Sequence, residues 1–334
     1  MDQAATTNMT NESFTLVTEE PQLPSSKSDV VLPIIFGCIG SLGICGNGLV
    51  CFVFLFEKRV FGSVTSTLIL NQSIIDLCTS VVFVILKFAS GIAVRSSNWF
   101  SVVCYIWISE FPFWSLSYAS TFNLTLLSLE RYFAICRPIK HKSAFTKLRA
   151  KLYCMIVWAI GFVLQVYLPT VHHIAEDRQC LFAWPNKAAQ KFVGSYVFFL
   201  EYFIPLFIII GSYASIWLAL RKRVNSDQVQ VASFSRAKKN VTITLFMVGI
   251  CFIICWSPDA IVFFYFNLGG YYSFQSVFHH FVMVFVMCNM CINPIIYCLK
   301  YDKFRRTVLK LFCGGRELAE IENSANTQVS TITN

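Results

Sequence analysis

The chain has 334 residues, of which 56% are hydrophobic, 16% aromatic and only 13% charged. Soluble domains carry about 25% charged residues, so this composition excludes an ordinary water-soluble protein and favours a lipid bilayer as the solvent. The formal net charge of +9 comes mainly from Lys and Arg in segments between apolar runs, so it predicts no nucleic-acid partner.

Seven charge-poor runs follow one another along the chain. Each is long enough to cross a bilayer as a helix, for which roughly 20 apolar residues suffice. The uncharged run 260–299 is too long for one helix, and the stretch NLGGYYS divides it. The sequence therefore predicts an all-α membrane protein, a seven-transmembrane helix bundle. Its predicted spans 1 to 7 cover about residues 30–56, 64–91, 100–135, 150–173, 192–221, 238–268 and 272–299.

The distribution of basic residues predicts the orientation of the bundle. Most of the 27 Lys and Arg residues lie in four connecting segments, 57–63, 131–151, 221–239 and 300–334. Cytoplasmic loops carry such an excess, so we expect a multi-pass plasma-membrane protein with an extracellular N-terminus and a cytoplasmic C-terminus. Residues 1–29 are polar and lack the apolar stretch of a signal peptide. Acceptor sequons at Asn8 and Asn11 predict that this tail is glycosylated.

The chain contains 14 cysteines, most of them inside spans or on the predicted cytoplasmic side. Only Cys104 and Cys180 fall near the outer ends of spans, where the compartment is oxidising. We therefore expect a disulfide between them, which would join the top of span 3 to the loop before span 5.

The segment after span 7, YDKFRRTVLKLFC at 301–313, places its apolar side chains on one face and its basic side chains elsewhere. This pattern predicts a short amphipathic eighth helix on the membrane surface, in contact with lipid. Cys313 at its end is a candidate for palmitoylation. The composition of residues 314–334 is that of a disordered cytoplasmic tail.

Seven motifs, one in each predicted span and in a fixed order, carry a resemblance to a known family. They are Asn47 in GNGLV, Asp76 in LNQSIIDL, Glu130-Arg131-Tyr132, Trp158, Pro205 with Tyr213, CWSP at 255–258 and NPIIY at 293–297. In these residues the chain resembles the rhodopsin-like (class A) G-protein-coupled receptors. The resemblance covers about residues 30–313 and implies a receptor that activates a heterotrimeric G protein.

The resemblance implies a switch at the inner end of the bundle, in which Glu130 holds Arg131 at rest. On activation Arg131 would contact the G protein. An ionisable pair at this depth is costly unless its members neutralise each other. The implied switch residues are Glu130, Arg131, Tyr132, Tyr213, Asn293, Pro294 and Tyr297, and the implied relay to them is Phe252, Trp256 and Pro258. Lys238 stands where many members carry a second acid that clamps the arginine, so we expect some ligand-independent activity.

A polar cluster in the middle of the bundle is implied by the same resemblance. Asp76 lies alone in an otherwise uncharged span, which marks it as functional. The family groups Asp76, Ser120, Trp256, Asn289 and Asn293 around a sodium ion, and carboxylate, hydroxyl and amide oxygens suit a hard cation. The alternative is a satisfied hydrogen-bond network without an ion.

Three carboxylates, Glu110, Glu201 and Asp259, lie in the outer halves of spans, and Lys87 is the opposing charge within a span. An acidic cavity favours a cationic ligand, either a peptide with basic residues or a small amine. The alternative is that these acids pair internally with Lys87 and backbone groups. The candidate pocket residues are Lys87, Glu110, Phe113, Glu201, Asp259, His279, His280 and Met283.

Differences from the motifs of amine receptors and opsins restrict the possible classes of ligand. Phe113 stands where amine receptors carry Asp, which favours a peptide over an amine. The absence of Lys from 260–299 excludes a retinal cofactor. The spacing from Cys104 to Arg131 is two residues longer than is usual in the family, so the top of span 3 is expected to bulge or extend.

The sequence also bears on the partners of the C-terminal tail and on two other classes of protein, transporters and enzymes. Ser and Thr residues in 314–334 follow several Glu residues, and the resemblance implies receptor kinases and arrestin as partners of this tail. An ion-coupled transporter is the remote alternative, but no two-half repeat is visible. No HExxH or GxSxG motif is present, so we do not expect an enzyme.

Overall fold

The computed structural model describes residues 27–88, 99–176, 179–225, 236–274 and 276–312. Long helices form the seven spans. Spans 1, 2, 3 and 4 are Lys27–Phe56, Val64–Phe88, Phe111–Cys136 and Lys147–Leu164. Span 5 consists of Lys187–Tyr196, a π-helical turn Val197–Phe203 and Ile204–Asn225. Span 6 is Arg236–Asn267, span 7 is Val277–Lys300 and the surface helix is Asp302–Phe312.

Span 3 lies in the middle of the bundle and packs against spans 2, 4, 5 and 6. Of the described helices, six are apolar and long enough to cross a membrane by length and composition. Span 3, the remaining helix of the bundle, has 26 residues and is richer in polar side chains. Its buried residues include many hydroxyl and amide side chains, Ser115, Ser117, Ser120, Thr121, Asn123, Thr125 and Ser128. These polar groups face protein rather than lipid, which is where intramembrane polar residues are stable.

Several helix ends differ from the sequence prediction, two of them because of helix caps. Span 7 begins at Val277 rather than near 272, because the Ser276 hydroxyl accepts a hydrogen bond from the His279 N–H at 3.1 Å. Span 5 begins at Lys187 rather than 192, capped in the same way by Asn186. The helix of span 4 ends at Leu164, before the predicted 173. A short helix Tyr167–Thr170 and a β-strand follow it.

The top of span 3 is irregular, as its length predicts. A short helix Phe100–Val102 continues into a π-helical turn Val103–Ile108, which accommodates an extra residue. Glu110 then adopts a left-handed conformation with φ of 54°, which is uncommon for a residue other than glycine. The regular helix restarts with Pro112 in its first turn, where the missing N–H costs nothing. The predicted bulge is confirmed.

A β-hairpin follows span 4 on the outer side of the bundle. Strand His172–Ile174 pairs antiparallel with Cys180–Phe182, so that Ile174 lies opposite Cys180. Cys180 is disulfide-bonded to Cys104, as the sequence predicts. The hairpin is thereby fixed to the top of span 3.

The surface helix Asp302–Phe312 is amphipathic, as predicted. Phe304 is fully buried and lies 6.1 Å from the Phe54 ring of span 1, between centroids, while Phe312 is exposed. Lys303 Nζ donates a hydrogen bond to the Val60 carbonyl at 2.5 Å. The helix is therefore anchored to the inner end of span 1. The predicted sites at Asn8, Asn11 and Cys313, and the tail 314–334, lie outside the described residues.

Candidate functional site

The inner end of span 3 carries a buried ion pair between two consecutive residues. Arg131 Nε and Nη2 donate hydrogen bonds to the two carboxylate oxygens of Glu130 at 2.6 and 2.7 Å. Glu130 is fully buried and Arg131 is 7% exposed. This fork-to-fork geometry is the strongest form of the arginine–carboxylate contact. It holds the guanidinium against its own helix.

Two further groups hold the Glu130 carboxylate. Thr65 Oγ1 of span 2 donates to its oxygens at 3.2 and 3.3 Å, and accepts a hydrogen bond from Arg131 Nη2. His141 Nε2, from the short helix Pro138–Ala144, donates to Glu130 at 2.8 Å. The carboxylate therefore joins span 2, span 3 and the segment after span 3. Neither Thr65 nor His141 was predicted, since neither carries a fixed charge that marks it in the sequence.

In the described part of the chain, the tyrosines of the implied switch make no hydrogen bond to this pair. Tyr213 and Tyr297 are buried, and Tyr132 is half-buried. Among the described residues, no hydrogen bond joins Arg131 to either Tyr213 or Tyr297, and the Tyr297 hydroxyl has no partner. The structure therefore shows Arg131 held by Glu130, which is the arrangement that the resemblance assigns to a resting receptor.

The inner end of span 6 is tied to span 7 through Asn240. Its Nδ2 donates to the Lys300 carbonyl at 2.7 Å, and its Oδ1 accepts from the Asp302 N–H at 3.0 Å. These two bonds link span 6 to the junction of span 7 and the surface helix. The side chain of Lys238 lies outside the part of the chain that the structure describes. Asn240 was not predicted, because an uncharged amide at a helix end carries no signal.

The buried Asp76 carboxylate receives four hydrogen bonds from neutral donors. Ser120 Oγ donates to Oδ1 at 2.7 Å and Asn293 Nδ2 donates to Oδ2 at 2.8 Å. Gln72 Nε2 contacts both oxygens at 3.1 and 3.2 Å. A carboxylate offers about four acceptor positions, and these four contacts use them all.

The Asp76 network continues across three spans. Gln72 Oε1 accepts from Asn123 Nδ2 at 2.8 Å, and Asn123 Oδ1 accepts from Asn71 Nδ2 at 2.9 Å. Asn71 Oδ1 accepts from Trp158 Nε1 at 3.1 Å. The chain of bonds joins spans 2, 3 and 4. Gln72 and Asn123 were missed from the sequence, although buried amides within a span are the signal for such a network.

A small cavity of about 10 Å³ adjoins Asp76, and its lining includes Ser120, Trp256 and Asn289. This volume suits one water-sized particle. Asn293 bonds Asp76 through its nitrogen, and its buried Oδ1 has no partner among the described residues. The structure therefore brings the five residues of the predicted sodium cluster together. Four of them, Asp76, Ser120, Asn289 and Asn293, carry side-chain oxygens of the type that a hard cation prefers, whereas Trp256 has only an N–H donor.

Aromatic contacts connect the cavity to the inner half of span 6. The Trp256 ring lies 6.3 Å from Phe252 and 5.3 Å from Tyr118, between centroids. Pro258 lies within span 6 and Pro294 within span 7. Each proline removes a backbone hydrogen bond and weakens its helix at that point. Span 6 therefore has a bending point beside Trp256.

The three outer carboxylates have different surroundings, and Glu110 is neutralised. Lys87 Nζ lies 3.1 Å from Glu110 Oε1, and Trp114 Nε1 donates to Oε2 at 3.1 Å. Both charged side chains are about one-third exposed, at 31% and 30%. Glu110 is therefore the carboxylate that Lys87 neutralises.

Glu201 is buried in the π-helical turn of span 5, with 1% of its surface exposed. Gln165 Nε2, at the end of span 4, donates to both of its oxygens at 2.9 and 2.8 Å. The Tyr118 hydroxyl also faces this carboxylate. No described cation contacts Glu201, which is held by neutral donors.

Asp259 is the carboxylate that remains without a partner among the described residues. It is half-buried, and neither a hydrogen bond nor an ion pair links it to another described side chain. It lies three residues outward from Trp256 on span 6, which places it on the same face one turn higher. A buried unpaired carboxylate is costly, so this position favours a cationic partner.

The rim above Asp259 carries hydrogen-bonding groups. The Tyr272 hydroxyl donates to His279 Nδ1 at 3.2 Å, and His280 Nδ1 donates to the Ser276 carbonyl at 2.9 Å. Burial raises the pKa of Tyr272, so the phenol keeps its proton. The predicted pocket residues Phe113 and Met283 belong to an apolar cluster with Phe83 below this rim.

The hairpin contributes a further neutral group. His172 Nδ1 donates to the Leu168 carbonyl at 2.7 Å, and its ring lies 5.4 Å from Phe182, between centroids. Burial lowers the pKa of His172 below its usual value. The imidazole therefore stays uncharged near neutral pH and does not repel a cationic ligand.

Seven membrane helices, a buried arginine–glutamate pair at one end and three carboxylates near the other end define a seven-helix membrane receptor. Residues 46–297 match the family 7 transmembrane receptor (rhodopsin family), and the chain belongs to this family. The predicted class, a rhodopsin-like G-protein-coupled receptor, is confirmed. The family consists of receptors rather than enzymes.

Curated relatives match over most of the chain. Galanin receptor 2b of Danio rerio is 27% identical over 319 residues, which cover 90% of this chain and 81% of that protein. Somatostatin receptor type 2 of Sus scrofa is 27% identical over 301 residues, covering 86% and 78%. The substance-K receptor of Mus musculus is 28% identical over 281 residues, covering 79% and 70%. The matches extend well beyond the individual motifs.

Proposed function

We propose that this protein is a plasma-membrane receptor for an extracellular peptide with a basic group, and that it activates a heterotrimeric G protein. The N-terminus lies outside and the C-terminus in the cytoplasm. The observation that carries the ligand class is the Asp259 carboxylate in the outer half of the bundle, which has no partner in the part of the chain that the structure describes. The relatives, named for galanin, somatostatin and substance K, support a peptide as the ligand.

The other carboxylates support this choice because they already have partners. Glu110 is neutralised by Lys87, and Glu201 is held by Gln165 away from the surface. Phe113 is buried against Phe83 and Trp114, whereas a small-amine receptor needs a carboxylate at that position. A basic peptide side chain would reach Asp259 from the outer rim. A small amine is the alternative ligand.

The signal would pass from Asp259 to the inner switch along span 6. A ligand can shift the receptor only by binding the active conformation more tightly than the resting one. A cation at Asp259 would act one turn above Trp256, whose ring lies near Phe252. Span 6 would bend at Pro258, separate from its Asn240 contacts, and leave Arg131 free to contact the G protein.

Asp259→Asn is expected to reduce the potency of an activating basic peptide about 30-fold. Removing one partner of a desolvated charge pair costs at least about 2 kcal/mol, which corresponds to that ratio. The measurement is a peptide and amine screen on cells that express the chain with a promiscuous G-protein readout. Dose–response curves for the hits are then compared between the wild type and the variant.

Glu110→Gln is the matched control, because Glu110 already has Lys87 and Trp114 as partners. Its effect on peptide potency should be less than about threefold, as for a partly exposed ion pair. Equal losses in the two variants would contradict the assignment of Asp259. Activation by small amines alone would replace the peptide with the alternative ligand.

We also propose that the cavity beside Asp76 holds a sodium ion in the resting receptor. Asp76, Ser120 and Asn289 line the cavity and carry carboxylate, hydroxyl and amide oxygens, and the volume admits one particle. The ion would neutralise the buried charge of Asp76. Gln72 competes for the same carboxylate, since its amide contacts both oxygens. The ion-free network is therefore the alternative at this site.

The Gln72→Leu variant is expected to increase the inhibition of agonist binding by sodium chloride. Leucine cannot donate a hydrogen bond, so two acceptor positions of Asp76 become available to the ion. Agonist affinity is measured in sodium chloride and in N-methyl-glucamine chloride at equal ionic strength. Asp76→Asn should abolish the difference. No sodium effect in the wild type or in Gln72→Leu would support the ion-free network.

The remaining proposals concern the tails. Glycans at Asn8 and Asn11 would mark the outer tail, and a palmitoyl group on Cys313 would add a second anchor after the surface helix. Receptor kinases would phosphorylate Ser and Thr residues in 314–334, and arrestin would bind the resulting charge.

A further inference from the structure

A groove of about 450 Å³ opens on the lipid-facing side of the bundle, between the inner halves of spans 5 and 6. Its volume falls within the range of small-molecule sites. The floor is formed by buried side chains, Ile209, Tyr213 and Ile216. The walls are formed by side chains exposed on the surface, among them Ile210, Trp217, Ile243, Phe246 and Ile250.

The chemistry of the groove is almost entirely hydrocarbon, with branched aliphatic and aromatic side chains on both walls. In a membrane such a surface faces lipid acyl chains rather than water. Gly249 allows spans 5 and 6 to approach here, because a Cβ atom on it would lie 3.2 Å from Ile209 Cγ2. Ala214 leaves room on the span 5 side, where it is small and exposed.

A positive charge stands at the inner end of the groove. The Arg221 guanidinium carbon lies 4.0 Å from the centre of the Trp217 ring, and Trp217 lines the groove. Arg221 follows Trp217 by one helical turn, in the direction of the proposed cytoplasmic side. Tryptophan and arginine at this level are typical of the headgroup region. A guanidinium binds phosphate with two parallel hydrogen bonds.

We infer that the groove binds an anionic glycerophospholipid of the inner leaflet. One acyl chain lies between spans 5 and 6, and the phosphate lies on Arg221. The apolar groove is complementary to an acyl chain, and the guanidinium at the headgroup level is complementary to a phosphate. Trp217 connects the two, because it lines the groove and contacts Arg221. The assignment to the inner leaflet rests on the orientation in the proposed function. The binding itself involves neither the outer cavity nor the G protein.

The experiment uses the purified full-length protein in phosphatidylcholine nanodiscs. They contain a small fraction of phosphatidylserine with a photoreactive diazirine in one acyl chain, and labelled residues are mapped by mass spectrometry. We expect labels to concentrate on the groove residues of spans 5 and 6. In Ala214→Phe, whose phenyl ring fills the groove, labelling there should fall to background. Leu218→Phe, on the same helix outside the groove, should label as the wild type does.

The contribution of the headgroup is tested with Arg221→Gln. It should reduce the preference for the phosphatidylserine probe over the matching phosphatidylcholine probe about fivefold, the contribution of one basic residue at an anionic surface. Lys151→Gln, an exposed lysine on span 4, serves as the charge-matched control and should leave the preference unchanged. Thermal unfolding in the same nanodiscs verifies that each variant is folded.

Three results would overturn the inference. They are uniform labelling along span 5, equal labelling by the two probes in the wild type, and displacement of the probe by cholesterol, which would assign the groove to a sterol. Ligand binding is measured on the same nanodiscs with Asp259→Asn. A failure of the proposed ligand site leaves the lipid labelling intact, and a failure of labelling leaves the ligand data intact.

Discussion

Replacement of Glu130 by Gln is expected to raise ligand-independent G-protein activation about tenfold or more. The carboxylate holds Arg131 through two short charge-assisted hydrogen bonds in a buried site. Such bonds contribute about 1.5–3 kcal/mol each, and the neutral amide can replace only one of them, without charge. A loss of 1.4 kcal/mol from the resting state alone shifts the resting–active equilibrium tenfold. Nucleotide exchange by purified G protein, at equal receptor density and without ligand, measures the effect.

Two other variants provide a comparison for the rise in basal activity in Glu130→Gln. His141→Ala removes a single contact with Glu130 and leaves the guanidinium in place, so basal activity should rise less than in Glu130→Gln. Asn240→Ala removes two neutral hydrogen bonds at the inner end of span 6, each with a net contribution of about 1 kcal/mol, and should give an intermediate rise. An unchanged basal rate in Glu130→Gln would contradict the restraining role of the pair.

The switch pair could be predicted from the sequence because both of its residues are charged. The residues that bind the pair could not be predicted, because Thr65 is uncharged and His141 has no charge that marks it. Glu130 and Arg131 stand out because they end an uncharged run. Thr65 is 65 residues away in the chain, and a threonine near a helix end is common. The contact exists only because span 2 packs beside span 3. Composition therefore identifies which groups need partners, and the packing decides which groups supply them.

The three outer carboxylates could likewise be predicted from the sequence, whereas their partners could be predicted only in part. Their depth in the spans was predicted from position, but their electrostatic states depend on two distant residues, Lys87 and Gln165. Lys87 was a candidate because it is charged. Gln165 was not, because an amide adds little to a hydropathy pattern and its contact with Glu201 crosses from span 4 to span 5. Only the structure separates Asp259 from the other two acids.

Charge-poor runs predicted seven spans, because each must cross the same apolar thickness, and six of the described helices are apolar and long enough to do so. The runs placed several ends less well, since caps such as Ser276 and Asn186 determine where a helix begins. The hairpin after span 4 was not predicted either. Its strands have three residues each and carry no alternation long enough to recognise.

Breaking the disulfide by the double change Cys104→Ser and Cys180→Ser is expected to lower the free energy of unfolding by about 4 kcal/mol. The bond closes a loop with a sequence separation of 76 residues, and restricting so long a loop removes much entropy from the unfolded chain. The measurement is denaturant-induced unfolding of the purified protein in detergent. Both cysteines are changed together so that neither thiol can mispair. The buried Cys51→Ser is the control for the loss of a cysteine alone.

Peptide affinity should fall in the same double variant, because the hairpin depends on the disulfide for its position. An isolated pair of three-residue strands is not stable in water, and Cys180 joins this pair to the top of span 3. Without the bond, a ligand must order the hairpin as it binds, which costs about 2 kcal/mol or more. Full affinity in a correctly folded double variant would show instead that the π-helical turn of span 3 and the ring contact of His172 with Phe182 hold the hairpin in place on their own.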